Sequence, residues 1–298
     1  MLLREPGKIT DRIDFLGTHK NCLYLLKGRE AMIIGGGMSW IAPSLEKQFS
    51  MMHFDLKKIK YLVIPHSHFD HCGAVPYLKR KFPQMQVLAS AYSQEVFSKQ
   101  KAVDFIAIAD KEMIEKLGLQ DEYERLNLRF DGIRVDRVIV ENDIIDLGDG
   151  IEAHFIEVPG HTKCSIATYV PELKAMFPSD AAPFPTDDGS GFSFPSSQYD
   201  LSLYMESLKK LTGHQVEICG FDHHGIFVGD QAGKVLQQGL EQAKQFQKDV
   251  TAQYQQLGDL DEMARKLAAE ASEKNKFPFL SLELETSIAR TIISKILG

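Results

Sequence analysis

The chain has 298 residues, of which 44% are hydrophobic and 25% charged, so it can bury a core as one large domain or as a domain with an appendage. No apolar run approaches the roughly 18 residues of a membrane span, and the formal net charge of −7 argues against a surface that binds nucleic acid through its phosphates. The four scattered cysteines and an N-terminal segment without an apolar h-region predict a cytoplasmic protein with reduced thiols.

The first elements predicted along the chain are strands. Apolar runs over residues 22–26 and 31–34 flank a polar segment at 27–30, which indicates a hairpin. Residues 61–64 (Tyr-Leu-Val-Ile) are rich in β-branched and aromatic side chains, which predicts a buried strand. Residues 72–82 and 92–130 then have mainly helical patterns.

The segment after the strand at 61–64 is the most informative one in the chain. Three histidines and one aspartate fall within six residues, although the chain has only ten histidines, so chance enrichment of a polar loop is a poor explanation. Alternate side chains of a strand share a face, so His66 and His68 could converge on one ion. Asp70 and His71 lie on the following turn and could reach a second ion. Such ligands suit Zn, Fe or Mn.

Three further candidate ligands follow strand-like segments downstream. His161 comes after residues 153–158, Asp180 after 174–177, and a histidine pair, His223 and His224, after 216–219. Residues 134–158 are predicted to form strands, and residues 165–177 a hairpin. Side chains near the ends of strands are where scaffolded sites collect, so the pattern favours one metal centre over isolated structural residues.

An irregular loop is predicted between residues 183 and 198, which are rich in Pro, Gly and Ser. The loop begins three residues after Asp180 and must pass close to the metal centre. Phe184, Phe192 and Phe194 are candidates for an apolar substrate wall. The alternative is that these aromatic side chains only hold the loop in place.

The last 70 residues are predicted to form three helices. Apolar residues at spacings of three and four mark one face of a long helix over residues 231–256, and Gly258 offers its C-terminal stop. Asp259 and Ser281 are plausible N-caps of the second and third helices. These helices could simply pack on the rest of the chain, dimerise through the Gln-rich first helix, or cover the metal cleft. Their length and position after the last ligand loop favour a lid.

The order His-x-His-x-Asp-His, Gly-His-Thr, Ser-Asp and His-Gly over residues 20–228 resembles the metallo-β-lactamase superfamily. The resemblance implies an α/β fold, the αββα sandwich, with a catalytic domain at 1–228, a C-terminal helical cap at 229–298 and two metal ions at one edge. It implies that the first ion is held by His66, His68 and His161, and the second by Asp70, His71 and His224, with Asp180 bridging. Gly225 keeps the frame of the last motif, so His224 is preferred to His223, which is then a pocket residue.

Two divalent ions about 3.5–4 Å apart could share a hydroxide that attacks an electrophilic carbonyl, with Asp70 orienting the nucleophile. Residues 66–90 and 204–208 resemble more closely the superfamily's 2-aminobenzoylacetyl-CoA thioesterases of quinolone-signal synthesis, but Phe184 stands where those enzymes have an acidic pocket residue. The predicted function is hydrolysis of small-molecule acyl thioesters or esters. The alternatives are a lactonase, a phosphodiesterase and a regulatory binding protein with secondary hydrolase activity.

Overall fold

Over residues 1–297, which the computed structural model describes, fourteen strands form two seven-stranded sheets. In chain order the strands are β1 Leu2–Leu3, β2 Gly7–Lys8, β3 Ile13–Gly17, β4 Cys22–Lys27, β5 Ala31–Ile34, β6 Ile59–Val63, β7 Gln86–Ala89, β8 Arg137–Val138, β9 Ile144–Asp146, β10 Glu152–Glu157, β11 Ile166–Val170, β12 Ala175–Phe177, β13 Ile218–Gly220 and β14 Ile226–Val228. One sheet has the order β2-β3-β4-β5-β6-β7-β8, and the other β1-β14-β13-β12-β11-β10-β9.

Helices cover the outer faces of both sheets. They are α1 Ala42–Met51, α2 Val75–Lys81, α3 Ala91–Phe97, α4 Gln100–Lys116, α5 Gln120–Leu126, α6 Leu201–Leu211, α7 Ala232–Leu257, α8 Leu260–Asn275 and α9 Leu282–Leu297. None of the helices in the described part of the chain is long and apolar enough to cross a lipid bilayer.

Alternation of side chains along the strands produces the four layers. In β4, Tyr24 and Leu26 point into the core between the two sheets, where they join Phe155 of β10. Leu23 and Leu25 point the other way and pack in the core beneath α1 and α2. A third core lies between the second sheet and helices α6 and α7. Central strands such as β4 and β11 are therefore apolar on both faces, and the expected αββα sandwich is confirmed.

Both predicted hairpins are present. Strands β4 and β5 pair antiparallel, with Tyr24 opposite Ile34, and β11 and β12 pair antiparallel, with Thr168 opposite Phe177. The strand predicted at 61–64 is β6, which pairs in parallel with both β5 and β7. The range 92–130 contains α3, α4 and α5, as its helical pattern predicts.

The three predicted C-terminal helices begin and end at the residues that the sequence indicates. Gly258 closes α7 in the left-handed conformation, with φ of 65°. Asp259 caps α8 by accepting a hydrogen bond from the Glu262 N–H, and Ser281 caps α9 by accepting one from the Leu284 N–H. The start of α7 packs on the sandwich, whereas its far end joins α8 and α9 in a small core of their own. The domain boundary at residue 228 stays a prediction.

A buried carboxyl on α4 ties this inserted helix to the sandwich. Asp110 is 1% exposed and accepts hydrogen bonds from the Ser39 N–H, at 2.8 Å, and from the Ser39 hydroxyl, in the loop after β5. A Cβ at Gly73, just after the histidine-rich segment, would lie 2.6 Å from the Asp110 carboxylate. Burial raises the pKa of Asp110 to about 6, although the two hydrogen bonds from Ser39 act to lower it.

This shift makes the stability of the fold depend on pH. Because the folded pKa of Asp110 is above its unfolded value, its protonated form stabilises the folded state, and this contribution is lost as the pH rises through about 6. We expect the free energy of unfolding of the wild type, relative to Asp110→Asn, to fall by about 2 kcal/mol between pH 4 and pH 7. Urea unfolding of both metal-free proteins at each pH measures this difference. A difference that does not change with pH would contradict a raised pKa of the buried Asp110 carboxyl.

Candidate metal centre

Three imidazoles from two loops form the first half of the candidate centre. His66 and His68 follow β6, and His161 follows β10. The Nε2 atom of His161 lies 3.2 Å from Nε2 of His66 and 3.0 Å from Nδ1 of His68. Ligand nitrogens around a tetrahedral ion with bonds of 2.0–2.1 Å would be about 3.3 Å apart. The three nitrogens are therefore already spaced as the ligands of one ion.

A second group lies beside the first. Asp70 Oδ2 is 3.4 Å from Nε2 of His71 and 3.5 Å from Nε2 of His223, and the two Nε2 atoms are 3.3 Å apart. Asp180 lies between the two groups, because its Oδ2 is 3.3 Å from His71 Nε2 and 3.5 Å from His161 Nε2. Its Oδ1 is buried without a hydrogen-bond partner. Divalent metal ions fit this donor set, and a bound ion would satisfy the carboxylate oxygen that now has no partner.

The structure corrects the expectation that His224, rather than His223, completes the second group. His224 belongs to none of the donor clusters in the described part of the chain. Its backbone is in the left-handed conformation, with φ of 62°. Its Nδ1 donates a hydrogen bond to the Pro185 carbonyl, at 2.7 Å, and its ring stacks on Phe277 with centroids 4.8 Å apart.

Hydrogen bonds behind the cluster fix the orientation of the imidazoles. Nδ1 of His71 donates to the Asp222 carboxylate, at 2.8 Å. His161 donates through Nδ1 to the Ser196 carbonyl, at 2.6 Å, and His223 to the Lys20 carbonyl, at 2.7 Å. A carbonyl or carboxylate acceptor requires the proton to be on Nδ1. Each of these rings therefore directs its Nε2, the nitrogen left to bind a metal, toward the cluster.

The sequence analysis missed this outer set of residues. Asp222 accepts a second hydrogen bond from the Ser179 hydroxyl, at 2.5 Å, and the same hydroxyl lies 3.3 Å from Nδ1 of His66. In the sequence, the signal for Asp222 and Ser179 is that each directly precedes a candidate ligand, His223 and Asp180 respectively. The Ser196 and Lys20 carbonyls gave none, because their identity as acceptors depends on tertiary contacts alone.

The two groups of donors differ in the electrostatic environment of their histidines. Burial lowers the pKa of His66 well below its usual value and lowers the pKa of His68 to about 3, so both stay neutral and can bind an ion. Burial acts in the same direction on His71, but the carboxylates of Asp70 and Asp180 outweigh it and raise the pKa of His71. The acidic half is thus the one that attracts positive charge most strongly.

A glycine allows the His161 loop to approach the helix beneath it. Gly160 has φ of 136°, a conformation that other residues rarely adopt. A Cβ at this position would run into the backbone of Tyr204 on α6. The amides of Tyr199 and Asp200 donate to the Gly160 carbonyl, at 3.1 and 3.0 Å, which holds the loop just before His161.

The cluster opens into a cavity of about 240 Å³. Its walls come from the sandwich loops, from α4 and α9, and from the segment that joins α8 to α9. They include Phe69, Phe105, Phe184, Phe194, Phe277, Phe279, Leu284 and Ile288. The predictions that Phe184, Phe194 and His223 line a pocket agree with this placement. Phe192 lies outside this cavity, where its ring packs against Phe227 with centroids 6.0 Å apart, and its place in a substrate wall stays a prediction.

The family model described as the metallo-beta-lactamase superfamily matches residues 17–234. The chain belongs to this superfamily. It is 26% identical over 189 residues to a metallo-beta-lactamase fold-containing protein of Sulfurisphaera tokodaii, a match that covers 63% of the chain and 67% of that protein. A solved structure of an archaeal superfamily member from Sulfolobus tokodaii superposes with a TM-score of 0.56 and 22% identity, covering 77% of this chain and 85% of the other.

Two relatives have a named activity. The chain is 25% identical over 238 residues to an atrochrysone carboxyl ACP thioesterase of Claviceps purpurea, covering 79% of the chain and 58% of the fungal protein. It is also 25% identical to the thioesterase of the same name from Passalora fulva, and here the match covers 80% of the chain. The chain therefore spans only 58% and 56% of the lengths of these two thioesterases.

The histidine pair gives a direct test of the second group. We expect His223→Ala to lower the bound metal from about two ions per chain to about one, because it removes a donor from the Asp70 and His71 group. His224→Ala, the matched control, should leave the metal content unchanged. Both are measured by elemental analysis after dialysis against a weak chelator. Loss of metal only in the His224 variant would restore the original expectation.

The outer carboxylate gives a second test. Asp222→Asn keeps the size of the side chain but removes the charged acceptor of His71 and Ser179. We expect the affinity for the second ion to fall by about 10- to 100-fold, while the first ion is retained. Calorimetric titration of the metal-free protein with Zn²⁺ separates the two binding steps. An equal loss of Zn²⁺ affinity at both binding steps would contradict a role of Asp222 that is confined to the second group.

Proposed function

We propose that this protein is a hydrolase of thioesters or esters, most concretely of small acyl-CoA-type thioesters, that uses two divalent ions. The proposal rests on one observation: a cluster of His and Asp side chains opens into a cavity with aromatic and aliphatic walls. An acyl group fits such walls, and its carbonyl would then lie beside the cluster. The two distant relatives named as thioesterases support the same reaction class.

The ligand assignment is part of the proposal. His66, His68 and His161 would hold one ion, and Asp70, His71 and His223 the other, with Asp180 between them. The donor set suits Zn, Fe or Mn. Divalent ions at such a site supply a water-derived nucleophile at neutral pH and polarise the carbonyl under attack.

The residues of the chain bind and orient the reactants. Phe184 and Phe277 lie with ring centroids 5.7 Å apart at the cavity wall, where they would exclude water from the acyl group. Asp70 belongs to the cluster and also lines the cavity, with a side chain 13% exposed. One of its oxygens contacts His71 and His223, so the carboxylate is held in place where it can accept a hydrogen bond from the attacking water.

Release of free thiol from a panel of acyl- and aroylacetyl-CoA thioesters tests the proposal, with protein reconstituted separately with Zn, Fe and Mn. We expect turnover by the wild type and a loss of about 100-fold or more in Asp70→Asn. Asp121→Asn, which changes an exposed aspartate on α5, is the matched control and should retain full activity. Turnover of lactones or phosphodiesters, with no thioester hydrolysed, would overturn the proposal, as would full activity in Asp70→Asn.

A further inference from the structure

One wall of the cavity contains an acid that the proposed chemistry does not use. Glu285 lies in the first turn of α9 and lines the cavity together with Leu284 and Ile288 of the same helix. The residue is only 6% exposed, and its Oε2 atom is buried without a hydrogen-bond partner. One of the two carboxyl oxygens is therefore left unsatisfied in the cavity wall.

An unpaired buried carboxyl is costly in a folded protein. Burial raises the pKa of Glu285, and the nearby Ser272 hydroxyl offsets this only in part. A leucine at this position would fill the same wall without the cost. A second polar group of the wall is in the same condition, because the Oδ1 atom of Asn275, at the end of α8, is buried and also has no partner.

We propose that Glu285 is a specificity-determining residue that accepts a hydrogen bond from a hydroxyl or amino group on the acyl part of the substrate. The proposal rests on the proposed function. The cluster lies on the sandwich loops, whereas Glu285 and Asn275 come from the C-terminal helices, and all of them line one cavity. A substrate with its carbonyl at the cluster and a polar donor farther along the acyl group would satisfy both ends.

The physical basis of the selection is the cost of leaving a buried acceptor unpaired. An acyl group without the donor removes the remaining water from Glu285 and offers nothing in return. An acyl group with the donor restores the hydrogen bond. Sites built in this way discriminate more strongly against the analogue that lacks the donor than an apolar wall discriminates by size.

The test compares three thioesters of nearly equal size: 3-phenylpropanoyl-CoA and its 4-hydroxy and 4-amino derivatives. We expect the wild type to prefer at least one donor-bearing substrate in kcat/KM by about 10- to 100-fold. Glu285→Leu should abolish or reverse this preference while retaining hydrolysis of the unsubstituted substrate. Glu285→Gln, which keeps an acceptor oxygen, should retain part of it. Glu283→Gln removes an exposed charge from the same helix turn and should behave as the wild type.

The outcomes separate this proposal from the proposed function. Equal preference in the wild type and in Glu285→Leu, with melting curves showing both folded, would overturn the role of Glu285 and leave the thioesterase intact. If the wild type hydrolyses none of the three thioesters, the wider panel of thioesters decides the proposed function, and calorimetric binding of the three free carboxylic acids decides the inference. Tighter binding of a donor-bearing acid, lost in Glu285→Leu, would support it, and equal affinities would overturn it.

Discussion

The rest of the structure depends on the close approach of five imidazoles and two carboxylates in one buried space. Nitrogen–nitrogen separations of 3.0–3.3 Å leave each ring little freedom, and the hydrogen bonds from Nδ1 to Asp222, Ser196 and Lys20 set which nitrogen faces inward. The loops that supply these groups all follow strands of the two sheets, so the sandwich acts as the rigid support that such a constellation requires.

The C-terminal helices form one wall of the cavity in which the substrate is proposed to bind. Phe277 contacts both histidines of the 223–224 pair, with centroids 4.8 Å from each. His224 therefore has a structural role in which it joins the irregular loop at Pro185 to the segment between α8 and α9. The same segment is tied to the sandwich through Lys20, which donates a hydrogen bond to the Asn275 carbonyl and pairs with Asp187. The C-terminal helices are thus coupled to the loop that also presents Lys20 to His223.

Much of this arrangement could be predicted from the sequence, because it depends on local patterns. Strand periodicity located β4, β5 and β6, and the spacing of His66, His68, Asp70 and His71 identified the centre. The choice between His223 and His224 could not be made in the same way, since both fit a motif by spacing, and only the tertiary structure shows which side chain joins the cluster. The position of Phe192 outside the cavity could not be predicted for a similar reason, because an irregular loop has no periodicity that indicates which side chains face inward. Asp222 and Glu285 needed tertiary contacts to be noticed at all.

Two ions are proposed to bind side by side, the second of them on His223. A crystal structure of the protein reconstituted with Zn²⁺, with anomalous data collected at the zinc edge, tests it most directly. We expect two anomalous peaks about 3.5–4 Å apart. One should contact His66, His68 and His161, and the other should contact Asp70, His71 and His223. A single peak, or a second peak coordinated by His224, would contradict it.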